Sequence, residues 1–109
     1  MAQWQETVQQ IAALKPEHIS AYSLIIEEGT PFWNRFGEGA CACDYTGPAL
    51  PDEDTENKIY RFTRKFLQEQ GFERYEISNY AKPGYECRHN LGYWERREYL
   101  GLGLGASSL

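Results

Sequence analysis

Long apolar runs are missing from this chain. No stretch of large aliphatic residues exceeds Leu24–Ile26, far short of the roughly 18 residues of a transmembrane helix. Cysteine is scarce, with three in 109 residues, which makes no disulfide framework and fits a reducing cytoplasm. Met1 to Glu6 carry neither the basic start nor the apolar core of a signal peptide. Positive charge is also short. The 11 Lys and Arg face 16 Asp and Glu, for a formal net charge of −5. That balance argues against duplex nucleic acid or an anionic membrane as the main partner. A length of 109 residues excludes a whole eight-stranded α/β barrel, which takes about 250. What is present, 41% hydrophobic and 15% aromatic residues, is the composition of a folded chain. A single small cytoplasmic unit is expected.

The opening segment predicts a helix, because Trp4, Val8, Ile11 and Ala12 share one face at i, i+4, i+7 and i+8 spacing. Pro16 ends it, since proline disfavours helical geometry in Lys15. His18–Ile26 predicts a strand rich in Ile, Tyr and Ser, mixed on both faces as in a buried parallel sheet. Residues 27–51 carry Gly29, Pro31, Gly37, Gly39, Gly47, Pro48 and Pro51 and predict a long loop. A second helix is expected after Asp52 as N-cap, with Glu53, Asp54 and Glu56 in its first turns and Ile59, Phe62, Phe66 and Leu67 on its apolar face. Gly71 stands where a C′ glycine closes such a helix. A strand from about Glu73 to Asn79 would then complete a parallel βαβ unit. Lys82-Pro83-Gly84 predicts a type II turn. The tail from Glu98 starts like another strand. An unpartnered strand there, and an opening helix with nothing before it, are expected of a piece of a larger domain.

Three groups of residues and one lone histidine carry candidate chemistry. Gly101, Gly103 and Ala106 satisfy G-x-G-x-x-A, but close backbone packing along a strand explains them better than a dinucleotide site. Cys41, Cys43, Asp44, Cys87 and His89 include zinc-ligand types at no established spacing, so ordinary reduced thiols are expected. His18 is expected to be a packed or hydrogen-bonded histidine. The densest constellation is Tyr85 to Trp94, where one imidazole stands among an arginine, an amide and large aromatics. Those groups suit a flat, anionic, metal-bearing ligand: histidine ligates iron, aromatic rings stack on a macrocycle, and Arg88 pairs with carboxylates. The same residues also suit a plain structural loop, in which His89 and Asn90 bond backbone groups.

Four blocks in order carry a family resemblance: LKPEHISAYSLIIEEGTPF from Leu14 to Phe32, RYEISNYAKPG from Arg74 to Gly84, CRHNLGYW from Cys87 to Trp94, and YLGLGLGA from Tyr99 to Ala106. Together they resemble the HemW-like proteins, in the coproporphyrinogen dehydrogenase-like branch of the radical S-adenosylmethionine (SAM) superfamily. The resemblance covers nearly the whole chain apart from Phe36–Tyr45. It implies an α/β fold in which residues 1–109 form a single fragment of a partial radical-SAM, TIM-like barrel, with a flexible insert over about residues 33–51. In the parent, a 4Fe-4S cluster and SAM would sit at the barrel's open end.

The resemblance further implies haem binding through H-N-x-x-Y-W, intact here as His89, Asn90, Tyr93 and Trp94. His89 would reach the haem iron, Tyr93 and Trp94 would be walls, and Asn90 would fix the loop. Leu24 and Ile25, with Gly101, Gly103 and Gly105, would face SAM. The implied partners are haem or another tetrapyrrole and a haem-acceptor protein. The family's C-x-x-x-C-x-x-C cluster motif is absent, so this chain alone is expected neither to build the cluster nor to cleave SAM. Three functions follow: a fragment of a haem chaperone, a fragment of an oxygen-independent coproporphyrinogen III oxidase, or a small interaction domain. The intact H-N-x-x-Y-W favours the first.

Overall fold

The two longer helices form where the residue spacing predicts them. A computed structural model describes residues 1–38, 47 and 49–109. Helix α1 spans Ala2–Ala13. It gives way at Lys15, whose φ of 54° is left-handed, and Pro16 keeps Lys15 from continuing in right-handed helical geometry. After strand β1 (His18–Ser20) comes a short helix α2 (Pro31–Phe36). Helix α3 (Glu53–Glu69) starts at Asp52, whose carboxylate accepts from the Thr55 N–H at 2.8 Å. It closes at Gly71, with φ 87°, through Gly71 N–H to the Gln68 carbonyl and Phe72 N–H to the Leu67 carbonyl. That is a Schellman motif with its hydrophobic contact, since Leu67 and Phe72 are both buried. Strands β2 (Glu73–Arg74) and β3 (Asn79–Ala81) follow, and then helix α4 (Arg88–Trp94).

The sheet corrects the expected parallel unit. Its order is β1-β3-β2, and β3 pairs antiparallel with β1 and with β2. The strand–helix–strand passage does bring β1 and β2 back in the same direction, because both oppose β3. They are not neighbours, however. The chain turns sharply after β2, where the Glu76 carboxylate accepts from the Ser78 N–H at 2.7 Å, and β3 takes the slot between them. The strand expected over 73–79 is therefore two strands around this turn, and Ile77 at its tip is 62% exposed.

Two other expectations are corrected. The strand expected over 18–26 pairs only at 18–20, plus one bond from Ala21 N–H to the Ser78 carbonyl. Beyond it, Tyr22, Leu24 and Ile25 are exposed. The long loop contains α2, whose N-cap Thr30 accepts from the Trp33 N–H at 3.2 Å, with Pro31 at the first helical position. The insert expected over about 33–51 thus begins inside α2, and residues 39–46 and 48 lie outside the described residues.

The core lies where α1 and α3 cover one side of the sheet. Val8, Ile19, Leu67, Phe72 and Tyr80 form it, with Ala21, Phe62 and Phe66 packed against it. Trp4 fixes the helix pair, donating its indole N–H to the Thr63 hydroxyl at 2.7 Å. Thr63 in turn donates to the Ile59 carbonyl, so neither polar group is left unpaired. Burial also raises the Tyr80 phenol above its ordinary pKa. Next to the core, an open cavity of about 310 Å³ runs from Trp4 past Tyr22 and Leu24 to Tyr60.

Candidate functional site

The segment Cys87–Trp94, expected as a loop, begins with α4 as its central element. Lys82-Pro83-Gly84 forms the expected type II turn, with Tyr85 N–H on the Lys82 carbonyl at 2.9 Å and Gly84 at φ 86°. This turn carries the chain from β3 back over the hairpin. The helix closes in a second Schellman pair, Arg96 N–H to the Tyr93 carbonyl and Arg97 N–H to the Gly92 carbonyl. Here Arg96, at φ 54°, occupies the left-handed position that glycine usually takes.

Helical spacing divides the four motif residues between two faces. Asn90 and Trp94 turn toward the β2–β3 hairpin. The Asn90 amide donates to the Tyr75 hydroxyl at 3.1 Å, and the Cys87 N–H reaches the same oxygen at 3.3 Å. Tyr75 also meets His18 Nε2 at 2.8 Å, so His18 is hydrogen-bonded, as expected for it. At the far end of the helix Trp94 and Glu76 line one shallow cavity beside the hairpin. Glu76 also accepts from Asn79 Nδ2 at 2.5 Å, and Asn79 takes the Ser20 hydroxyl on its carbonyl. Burial acts to raise the Glu76 pKa. The bonds from the Ser78 N–H and Asn79 outweigh it and hold the carboxyl below its ordinary value. Tyr75 therefore holds the first half of α4, and Glu76 lies beside Trp94 at its other end.

His89 and Tyr93 occupy the outward face. Their rings meet edge to face at 4.6 Å between centroids, and Tyr93 meets Tyr99 the same way at 4.8 Å. Arg88, Gly92, Arg97 and Glu98 complete the walls of a shallow cavity of about 160 Å³. Arg97 pairs with Glu95 at 2.5 Å on the surface. An accessible imidazole, a row of tyrosine rings and two guanidinium groups together can ligate a metal, stack on a flat ring system and pair with carboxylates.

The residues expected to face SAM stand elsewhere. Leu24 and Ile25 lie in the exposed segment after β1. Gly101, Gly103 and Gly105 belong to a tail that is not a strand. Tyr99 and Leu109 exchange backbone hydrogen bonds, closing residues 99–109 into a loop. Gly103 and Gly105 turn it with φ of 108° and 79°. A Cβ at Gly101 would overlap the Ser107 carbonyl. Chain reversal accounts for the left-handed backbone of Gly103 and Gly105. Among the described residues no group of three His, Cys, Asp or Glu side chains could hold a metal ion. Cys41, Cys43 and Asp44, weighed with Cys87 for zinc, lie outside the described residues.

Residue spacing alone missed Tyr75, Glu76, Arg97 and Tyr99 as parts of this site. For Tyr99, the aromatic repeat Tyr93-Trp94 and Tyr99 across a basic link was the available signal. The Tyr75–His18 pair spans 57 positions, and no local pattern announces it.

The fold is a mixed α/β unit, and the site is an exposed histidine–tyrosine–arginine surface on a short anchored helix. Its sequence is HemW-like along nearly its whole length. The chain is similar to the heme chaperone HemW of Lactococcus lactis, at 39% identity over 100 residues, covering 92% of this chain and 24% of that protein. It is similar to the heme chaperone HemW of Synechocystis at 38% over 109 residues, covering 98% and 24%. Against the Escherichia coli heme chaperone HemW the identity is 40% over 99 residues, covering 91% and 23%. The chain therefore spans about a quarter of the length of the curated relatives it matches. No family model matches it, and no solved structure does. Among the described residues no helix is long and apolar enough to cross a membrane.

Proposed function

We propose that this chain is a segment of a HemW-like haem-trafficking protein of the cytoplasm, and that the outward face of α4 supplies part of its haem-binding surface. The observation that supports this reading is the row His89, Tyr93 and Tyr99, joined by edge contacts of 4.6 and 4.8 Å and flanked by Arg88 and Arg97. His89 offers its imidazole to the haem iron, the tyrosines border the macrocycle, and the guanidinium groups meet its carboxylates. A cavity of about 160 Å³ is smaller than the roughly 300 Å³ at which enclosing ligand pockets begin. Haem therefore lies across this surface rather than inside it. Asn90 acts indirectly, by fixing the helix, and Trp94 stands at the other end on the same anchoring side, beside Tyr75 and Glu76.

Residues 1–109 form one unit of the parent's radical-SAM barrel, in which Leu24, Ile25, Gly101, Gly103 and Gly105 lie on the SAM-facing side. The parent delivers haem to an acceptor protein. The residues present do not fit a 4Fe-4S cluster. The three-cysteine motif is absent from the sequence, and no three candidate ligands converge among the described residues. No radical step is assigned to this chain.

A titration of the 109-residue chain with haemin, read at the Soret band beside His89→Ala, tests the proposal. A saturable one-to-one shift that the substitution removes is expected. A shift indifferent to His89, or none, overturns the assignment.

A further inference from the structure

We infer that Tyr75 is the positioning residue of the α4 surface, its hydroxyl acting as a three-way latch that fixes the direction in which His89 points. A phenol carries one donor and can accept twice. The Cys87 N–H can only donate, and it does so to the Tyr75 oxygen at 3.3 Å. The Asn90 amide donates to the same oxygen at 3.1 Å. Both acceptor positions are then filled, so the hydroxyl proton goes to the remaining neighbour, His18 Nε2 at 2.8 Å. Nε2 of His18 is thereby the acceptor, and the latch ties β1, the hairpin and α4 at one atom.

Helix α4 depends on such ties because it has little else. It is seven residues long, buries none of them and has no side-chain bond at its N-cap. A lone helix of that length is unstable in water, where about 12–15 residues are needed even for marginal helicity. His89 and Asn90 are consecutive, about 100° apart around the axis. Holding Asn90 against Tyr75 therefore sets where His89 faces. The consequence for haem rests on the proposed function, whereas the latch itself does not.

Tyr75→Phe removes the hydroxyl and keeps the ring that meets His18 edge to face at 5.6 Å, so the variant should stay folded. Two readouts are taken on the 109-residue chain. In the first, amide exchange at Cys87 should rise about tenfold, as expected when one to two net hydrogen bonds are lost, and the His18 Nε2 nitrogen resonance should move. Wild-type His18 should show no proton on Nε2. His18→Gln, which keeps an acceptor, should preserve the slow Cys87 exchange, and His18→Leu should lose it. Unchanged Cys87 exchange in Tyr75→Phe, or a wild-type His18 protonated on Nε2, overturns the latch. In the second readout, haemin affinity should fall about tenfold in Tyr75→Phe with the Soret maximum unmoved. Full affinity in that variant, beside a His89-dependent wild type, overturns the positioning role. If wild-type binding proves independent of His89, the proposed haem site fails, and the exchange and nitrogen data still decide the latch.

Discussion

Helices α3 and α4 end in the same hydrogen-bond motif and are held in place by different forces. The first is 17 residues long, capped by Asp52, and seals Leu67 completely against the core. The second is seven residues long with no buried residue, and its ties run through the Tyr75 hydroxyl. Apolar burial is non-directional and large, roughly 1.5–3 kcal/mol for a side chain such as Leu67. Hydrogen bonds contribute only about 1 kcal/mol each but fix orientation. The contrast assigns stability to the α1–α3 core and precision to α4. A surface built on α4 can then be altered without unfolding the unit.

Substitutions should separate the two helices. Leu67→Ala should have the largest effect, destabilising the whole chain by about 3 kcal/mol, and chemical denaturation followed by circular dichroism measures it. A loss confined to α4, with α1 and α3 intact, would contradict the division. Next comes the acid limb set by Glu76. Its folded pKa is depressed below the ordinary 4.5, so the stabilisation it gives the hairpin is complete above the unfolded value. It is lost as pH falls through the lower folded one. The Ser78 and Asn79 amide proton resonances should hold steady from neutrality to about that value and shift together below it. Glu76→Gln, which still accepts hydrogen bonds but does not ionise, should remove this limb. The smallest effect is expected at Arg96, whose φ of 54° is strained for a residue with a Cβ. Arg96→Gly should relieve it and stabilise α4 by about 0.5 kcal/mol, seen as slower amide exchange at Arg97. Faster exchange would mean that the arginine side chain itself holds the helix end.

Much of the core was legible because its signals are local. The apolar spacing of α3, Asp52 before it and Gly71 after it mark that helix, and Pro16 marks the end of α1. The type II turn at Lys82–Tyr85 was equally plain. The hairpin was not, since the turn between β2 and β3 has no Asn-Gly or Pro-Gly pair. There the Glu76 side chain supplies the bond that turn residues usually provide. Strand propensity over Ala21–Ile26 misled, because it gives no information on whether a partner strand lies beside the segment, and pairing stops at Ser20. Helix α2 was hidden by surrounding glycines and prolines, although Thr30-Pro31 is a sound N-cap and first position. Helix α4 carries Gly92 in its middle and is too short for propensity to reveal. The separation of His89 and Tyr93 from Asn90 and Trp94 depends on that helix, so it could not be read from the motif.

The division of α4 into a presenting face and an anchoring face is tested most directly by haemin titrations of His89→Ala and Asn90→Ala in parallel, reading Soret position and affinity separately. His89→Ala should abolish the wild-type Soret shift while leaving the Cys87 and Trp94 amide signals in place. Asn90→Ala should keep the Soret position and lower affinity about tenfold. If instead Asn90→Ala moves the Soret maximum and His89→Ala leaves it unchanged, the two faces have been assigned the wrong way round.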